Sequence, residues 1–127
     1  MTNIFLVAGG GALGSAGRYL VGRLAGQMMP GAQWPWGTFA VNIAGGFAMG
    51  LLAGWLTGLS DQAAEPWRLL IGVGLLGGFT TFSAFSLETF SMVERGQVML
   101  ALGYALLSVV GAVGALALGI SLMRGVA

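Results

Sequence analysis

Charged residues divide this chain more sharply than any other feature. Residues 1–17, 24–60, 69–87 and 96–123 contain no Asp, Glu, Lys or Arg. Where water is absent, backbone N–H and C=O groups must bond to each other, and an α-helix achieves this within one segment. About 20 apolar residues cross the hydrocarbon core of a bilayer. The 127 residues are 57% hydrophobic and 7% charged, with mean hydropathy +0.89, whereas a soluble domain is roughly a quarter charged. The chain reads as an all-α membrane protein forming one transmembrane domain over residues 1–127, with the lipid bilayer as its surroundings.

The long run 24–60 is interrupted by a turn-like interval, Gln27 to Pro35, holding Pro30, Gly31 and Gln33. Four spans result, at about 4–24, 37–59, 66–90 and 97–123. Pro66 suits the first turn of the third helix, because a first-turn N–H has no helical partner to lose. Trp34, Trp36, Trp55 and Trp67 fall near helix ends, as interfacial aromatics do. An even number of spans puts both termini on one side. Arg68 and Arg124 lie toward that side, and Arg18, Arg23 and Arg95 toward the other. Basic residues set orientation, so a count this close leaves both a single topology and a dual topology open.

Several chemistries are excluded. The chain has no Cys and no His, which removes thiol chemistry, the usual zinc sites and the commonest general base. With no nucleophile–base pair or metal cluster in sight, the chain does not read as an enzyme. A formal net charge of +1 gives no footprint for nucleic acid. Gly9-Gly10-Gly11-Ala12-Leu13-Gly14 satisfies G-x-G-x-x-G, but the first acid in the chain is Asp61. A dinucleotide site needs an acidic residue about 20 positions on and a βαβ unit. The glycines at four-residue spacing, Gly10 and Gly14, Gly46, Gly50 and Gly54, then Gly111, Ala115 and Gly119, form faces for close helix approach. Four short helices have little internal core, so these faces are expected to serve oligomerisation as well.

The third span holds Gly77-Gly78-Phe79-Thr80-Thr81-Phe82-Ser83-Ala84-Phe85-Ser86, a poor recipe for a plain lipid-facing helix. Glycine weakens a helix, and Thr and Ser bond backbone that departs from it. Such backbone survives at membrane depth only where protein or a water-filled path surrounds it. A break at Gly77-Gly78 is expected, beside which an ion or small solute is handled.

Polar side chains at membrane depth tend to mark pathways. Asn42, one turn after Thr38, offers either an interhelical hydrogen bond or an anion contact. Tyr104 and Ser108 share a face of the fourth span; taken alone, Ser108 is expected to bond the carbonyl one turn back. Glu88 ends the third span as a vestibule group or an interfacial anchor. Arg18 and Arg23 either snorkel to headgroups or concentrate anions at a pore mouth. Phe79, Phe82 and Phe85 are three apart and are either packing residues or, turned edge-on, rings whose positive rims favour an anion.

Together, the runs Gly10–Tyr19, Gly37–Gly45 and Gly77–Phe85 followed by Glu88 resemble the Fluc (CrcB) family of fluoride channels, across all four helices. The resemblance implies a dual-topology antiparallel homodimer with two pores, in the bacterial cytoplasmic (inner) membrane, exporting fluoride passively. It implies that the third helix breaks at the dimer centre, where the backbone carbonyls of Gly77 and Thr80 from both subunits hold a structural sodium ion (Na+). Phe82 and Phe85 would present ring edges to fluoride, Asn42 its amide, and Thr38, Ser83, Tyr104 and Ser108 the other polar positions of the pore. Arg23 would be the vestibule cation with Glu88 nearby. Ala112 stands where a further hydroxyl would extend the track. The alternative is a small proton-coupled exporter of the four-helix dual-topology type, which needs a carboxylate in its pathway; Glu88 is the sole candidate.

Overall fold

The computed structural model describes residues 1–126. Among them, four helical spans are long and apolar enough to cross a membrane. Helix α1 is Thr2–Met28 and α2 is Trp36–Leu56. The third span, Asp61–Glu94, is divided into α3 (61–79) and α4 (Ser83–Glu94). Helix α5 is Val98–Val126.

Each boundary has a local cause. Helix α1 runs past the expected 4–24 and stops just before Pro30, which cannot continue a helix; Gly31 then turns the chain at φ 75°. The third span begins at Asp61, five residues ahead of Pro66. There Ser60 accepts a hydrogen bond from the Ala63 N–H at 3.2 Å, and Asp61 places negative charge at the positive end of the helix dipole. Pro66 therefore lies inside a helical turn, a correction to the first-turn expectation. Helix α4 ends with Gly96 at φ 80°, the Gln97 N–H reaching the Met92 carbonyl at 2.8 Å and the Gly96 N–H reaching Val93 at 3.0 Å. That double closure is the left-handed helix end that glycine permits.

Within α3, residues Arg68–Leu76 are π-helical, with bonds spanning one residue more than in an α-helix. This widened stretch packs along α1. A Cβ at Gly10 would strike the Leu70 carbonyl oxygen, and one at Gly14 would strike the Leu75 carbonyl and lie 2.8 Å from the Phe79 nitrogen. Helix α2 packs along α5 in the same manner. A Cβ at Gly46 would lie 2.8 Å from the Ala112 carbonyl oxygen, one at Gly50 would strike that of Leu116, and one at Gly119 would lie 2.8 Å from the Leu51 nitrogen.

The small-residue faces expected to serve oligomerisation are thus largely consumed within the protomer. Lipid tails are as apolar as leucine, so helices in a bilayer gain little from apolar burial and adhere by close van der Waals approach. Glycine provides that approach here. Large apolar side chains instead line the outside, among them Leu13, Val110, Leu106 and Phe82. Trp55 and Trp67 meet at one end of the bundle with ring centroids 5.8 Å apart, and Trp34 and Trp36 at the other at 6.0 Å.

Glycines in contact and glycines in open space should respond oppositely to a methyl group. Gly14→Ala and Gly50→Ala are expected to lose about 1–3 kcal/mol through overpacking. Gly9→Ala and Gly114→Ala, where no atom of the described residues beyond the helix's own backbone would lie within 4 Å of the added methyl group, should be neutral or gain up to about 1 kcal/mol of helix propensity. Thermal unfolding of the four variants in one detergent measures the difference.

Candidate functional site

The third span breaks at Thr80–Phe82, not at Gly77-Gly78. Gly77 keeps right-handed helical angles (φ −63°, ψ −38°), and the chain becomes extended at Thr80 (φ −81°, ψ 161°). The glycines serve packing: a Cβ at Gly78 would lie 2.7 Å from the Gly11 carbonyl oxygen of α1. The hydroxyl residues after them carry the change of direction.

An α-helical ladder joins each N–H to the carbonyl four residues back, so the interruption can be followed bond by bond. The Thr80 N–H still reaches the Leu76 carbonyl at 2.9 Å, and the Thr80 hydroxyl donates to the same oxygen at 2.9 Å. The next donor, the Thr81 N–H, leaves Gly77 and goes to Asn42 Oδ1 at 2.9 Å. Asn42 Nδ2 donates back to the Thr81 carbonyl at 3.1 Å. One amide from α2 thereby supplies both the acceptor and the donor that Thr81 lost. The Ala84 N–H, opening α4, goes to Thr81 Oγ1 at 3.1 Å. On the opposite side, Arg18 Nε of α1 donates to the Gly78 carbonyl at 3.2 Å. Among the described residues nothing donates a hydrogen bond to the carbonyls of Gly77 and Thr80, and Gly77 is exposed on the protomer surface.

Asn42, Thr80, Thr81, Phe82, Phe85 and Ser108 share an open cavity of about 430 Å³, which Ala112 also borders. Ser108 is buried and its hydroxyl has no partner among the described residues, so the expected bond to its own helix is absent. Phe82 is 78% exposed. Its ring lies 5.8 Å from that of Phe85, which is 5.2 Å from the ring of the fully buried Tyr104. Phe79 does not join them: it precedes the break and packs beside Gly17 and Gly45.

Farther along, the Tyr104 hydroxyl donates to Glu88 Oε1 at 3.3 Å, with Thr38 adjoining both. Ser83 is exposed at the start of α4, its hydroxyl 3.3 Å from that of Thr81. A second cavity of about 370 Å³ is lined by Arg18, Tyr19, Arg23, Thr38 and Thr81. Thr81 borders both cavities. The structure therefore brings Asn42, Phe82, Phe85 and Ser108 to one place, Thr38, Glu88 and Tyr104 to a second, and Arg23 to a third that shares Thr38 and Thr81.

Arg18 was offered by sequence reasoning only as a headgroup anchor or an anion collector, and its bond to Gly78 escaped that reading. A signal existed, since Gly10, Gly14 and Arg18 are four apart and the glycines of that face pack on α3. The aromatic contact of Trp34 with Tyr104, 5.3 Å between centroids, had no comparable signature.

Residues 5–120 match the model of the family described as CrcB-like protein, Camphor Resistance (CrcB). The chain belongs to the CrcB family. A relative from Novosphingobium aromaticivorans is 54% identical over 128 residues, covering 100% of both chains. Others from Caulobacter sp. (strain K31) and Phenylobacterium zucineum are 52% and 53% identical, covering 98% and 99% of this chain and 96% and 98% of their own. All three are named fluoride-specific ion channel FluC.

Asn42→Ala should strand the N–H and C=O of Thr81 and cost on the order of 2 kcal/mol of stability. Asn42→Asp keeps an acceptor for the N–H but sets a buried carboxylate against the Thr81 carbonyl, so it should be no more stable than Asn42→Ala. Thermal unfolding of the purified variants, beside amide exchange of Thr81, measures both.

Proposed function

We propose that this protein is a fluoride-selective channel through which the anion leaves the cell passively, relieving fluoride toxicity. The observation that carries the reading is the Ser108 hydroxyl, buried without a partner on the cavity that Asn42, Phe82 and Phe85 also line. A buried hydroxyl left unbonded costs about 1–3 kcal/mol, which an anion accepting a hydrogen bond from it would remove. Asn42 keeps one amide hydrogen beyond the one given to Thr81, since its side chain carries two. The rims of Phe82 and Phe85 add partial positive charge. Such donors replace the water shell of a small anion, and Thr38, Ser83 and Tyr104 continue the polar positions. The names borne by full-length relatives point the same way. A negative cell interior drives the anion outward without ATP. Arg23 and Glu88 border the entrance.

The working form is an antiparallel homodimer in the bacterial cytoplasmic (inner) membrane. Arg18 supports dual topology in a way a bare count misses. It sits ten residues before the end of α1, about 15 Å inward at 1.5 Å per residue, bonded to protein. Setting it aside leaves Arg23 and Arg95 against Arg68 and Arg124, two against two. The many large apolar side chains on the exterior are compatible with either lipid or a second copy. The unbonded carbonyls of Gly77 and Thr80 fit a sodium ion, a hard cation suited to close arrays of carbonyl oxygen. Gly77, exposed at the protomer surface, fits a site completed by the other subunit.

Purified protein in liposomes should release fluoride to an ion-selective electrode while chloride stays behind; fluoride-tight vesicles would sink the proposal. Phe82→Ile and Phe85→Ile should each lower the rate roughly tenfold or more, matching loss of about 1.4 kcal/mol of ring-edge stabilisation, with assembly intact. Glu88→Gln should leave the flux indifferent to a proton gradient. Flux abolished by that change and driven by protons in the parent protein would instead identify a coupled exporter.

A further inference from the structure

We infer that Arg18 is a positioning residue for the interrupted third span, holding the Gly78 peptide in place as Asn42 holds Thr81. The break deprives consecutive carbonyls of their ladder donors. In an unbroken helix the Gly78 carbonyl would accept from the Phe82 N–H; here it accepts from Arg18 Nε at 3.2 Å, a contact bridging 60 positions of sequence. Asn42 performs the matching service at Thr81. The two side chains come from different helices and grip the segment three residues apart. Between them they decide which carbonyls are spoken for, leaving those of Gly77 and Thr80 free.

Arginine suits this position for a reason of geometry. Its guanidinium presents five N–H donors in a fixed plane, and among the described residues only the Nε hydrogen is engaged with the backbone. The same side chain lines the 370 Å³ cavity with Arg23 and Thr38, so its remaining hydrogens are available on that side. Gly14 and Gly10 place it: they hold α1 against α3 at backbone contact, and the next residue on that face at four-residue spacing is Arg18. The guanidinium is half-buried, where a hydrogen bond to a charged group is worth more than a neutral one. The role belongs to the architecture of the break and needs no particular permeant ion.

Hydrogen–deuterium exchange of the purified full-length protein tests this, comparing the parent with Arg18→Gln and Arg18→Lys. Residues 77–86 should exchange about tenfold faster in Arg18→Gln, while peptides from α2 and α5 keep the parent rate. Arg18→Lys keeps the charge and a donor but not the planar reach, so the same segment should exchange several-fold faster. Parent-like exchange of residues 77–86 in both variants would overturn the inference and leave Arg18 as a cavity charge alone. If Arg18→Gln does not fold, Arg18→Lys decides by the same criterion. Because no ion flux is read, failure of this inference and failure of the channel reading are separate results.

Discussion

A backbone leaving the helix inside a bilayer has no water to bond, so other protein groups must replace its lost partners. The rest of this molecule is arranged around that requirement. Each unpaired peptide group in hydrocarbon costs several kcal/mol. Asn42 answers it most completely, because a carboxamide has the same donor and acceptor as the peptide unit it stands in for. Its Oδ1 and Nδ2 close on the N–H and C=O of one residue, Thr81. Threonine hydroxyls add to this locally: Thr80 reinforces the last helical carbonyl and Thr81 opens the next helix. Irregular backbone is then stable at a depth where it would otherwise be forbidden.

The glycine faces are the second half of the same solution. A guanidinium on α1 and an amide on α2 reach the third span only if those helices lie against it at backbone distance. Gly10 and Gly14 bring α1 to the π-helical stretch, and Gly45 admits the Thr80 methyl beneath α2. Close approach and polar substitution therefore support each other. A bulkier residue at Gly14 would press on Leu75 and on the Phe79 nitrogen, lifting Arg18 away from the Gly78 carbonyl.

Much of this was legible in the residues themselves. Uncharged runs gave the four spans, because charge is the one property that hydrocarbon sharply penalises. The Gly-Gly-Phe-Thr-Thr-Phe-Ser stretch pointed to a broken helix, and Asn42 to a polar contact across helices. The exact place of the break was not legible, since glycines suggest weakness while tertiary packing decides where it is used. At Gly77-Gly78 the packing against α1 kept the helix, and the loss fell on Thr80–Phe82. Glycine spacing indicated close approach but not the partner, which proved to be another helix of the same chain. The π-helical turns over Arg68–Leu76 arise from helix-to-helix packing and carry no period of their own in the sequence. Ser108 inverted its expectation because local bonding to Tyr104 is an option open to any helical serine, not an obligation.

The amide of Asn42 fastens Thr81 at both ends of a single residue, and that residue is the partition between the two cavities. Its N–H and C=O belong to the two peptide planes that flank its Cα, so one side chain holds both planes at once. The threshold between the chambers is consequently a rigid sill. Variation in its width is then left to side chains beside it, chiefly the exposed Phe82 ring, which borders the larger cavity.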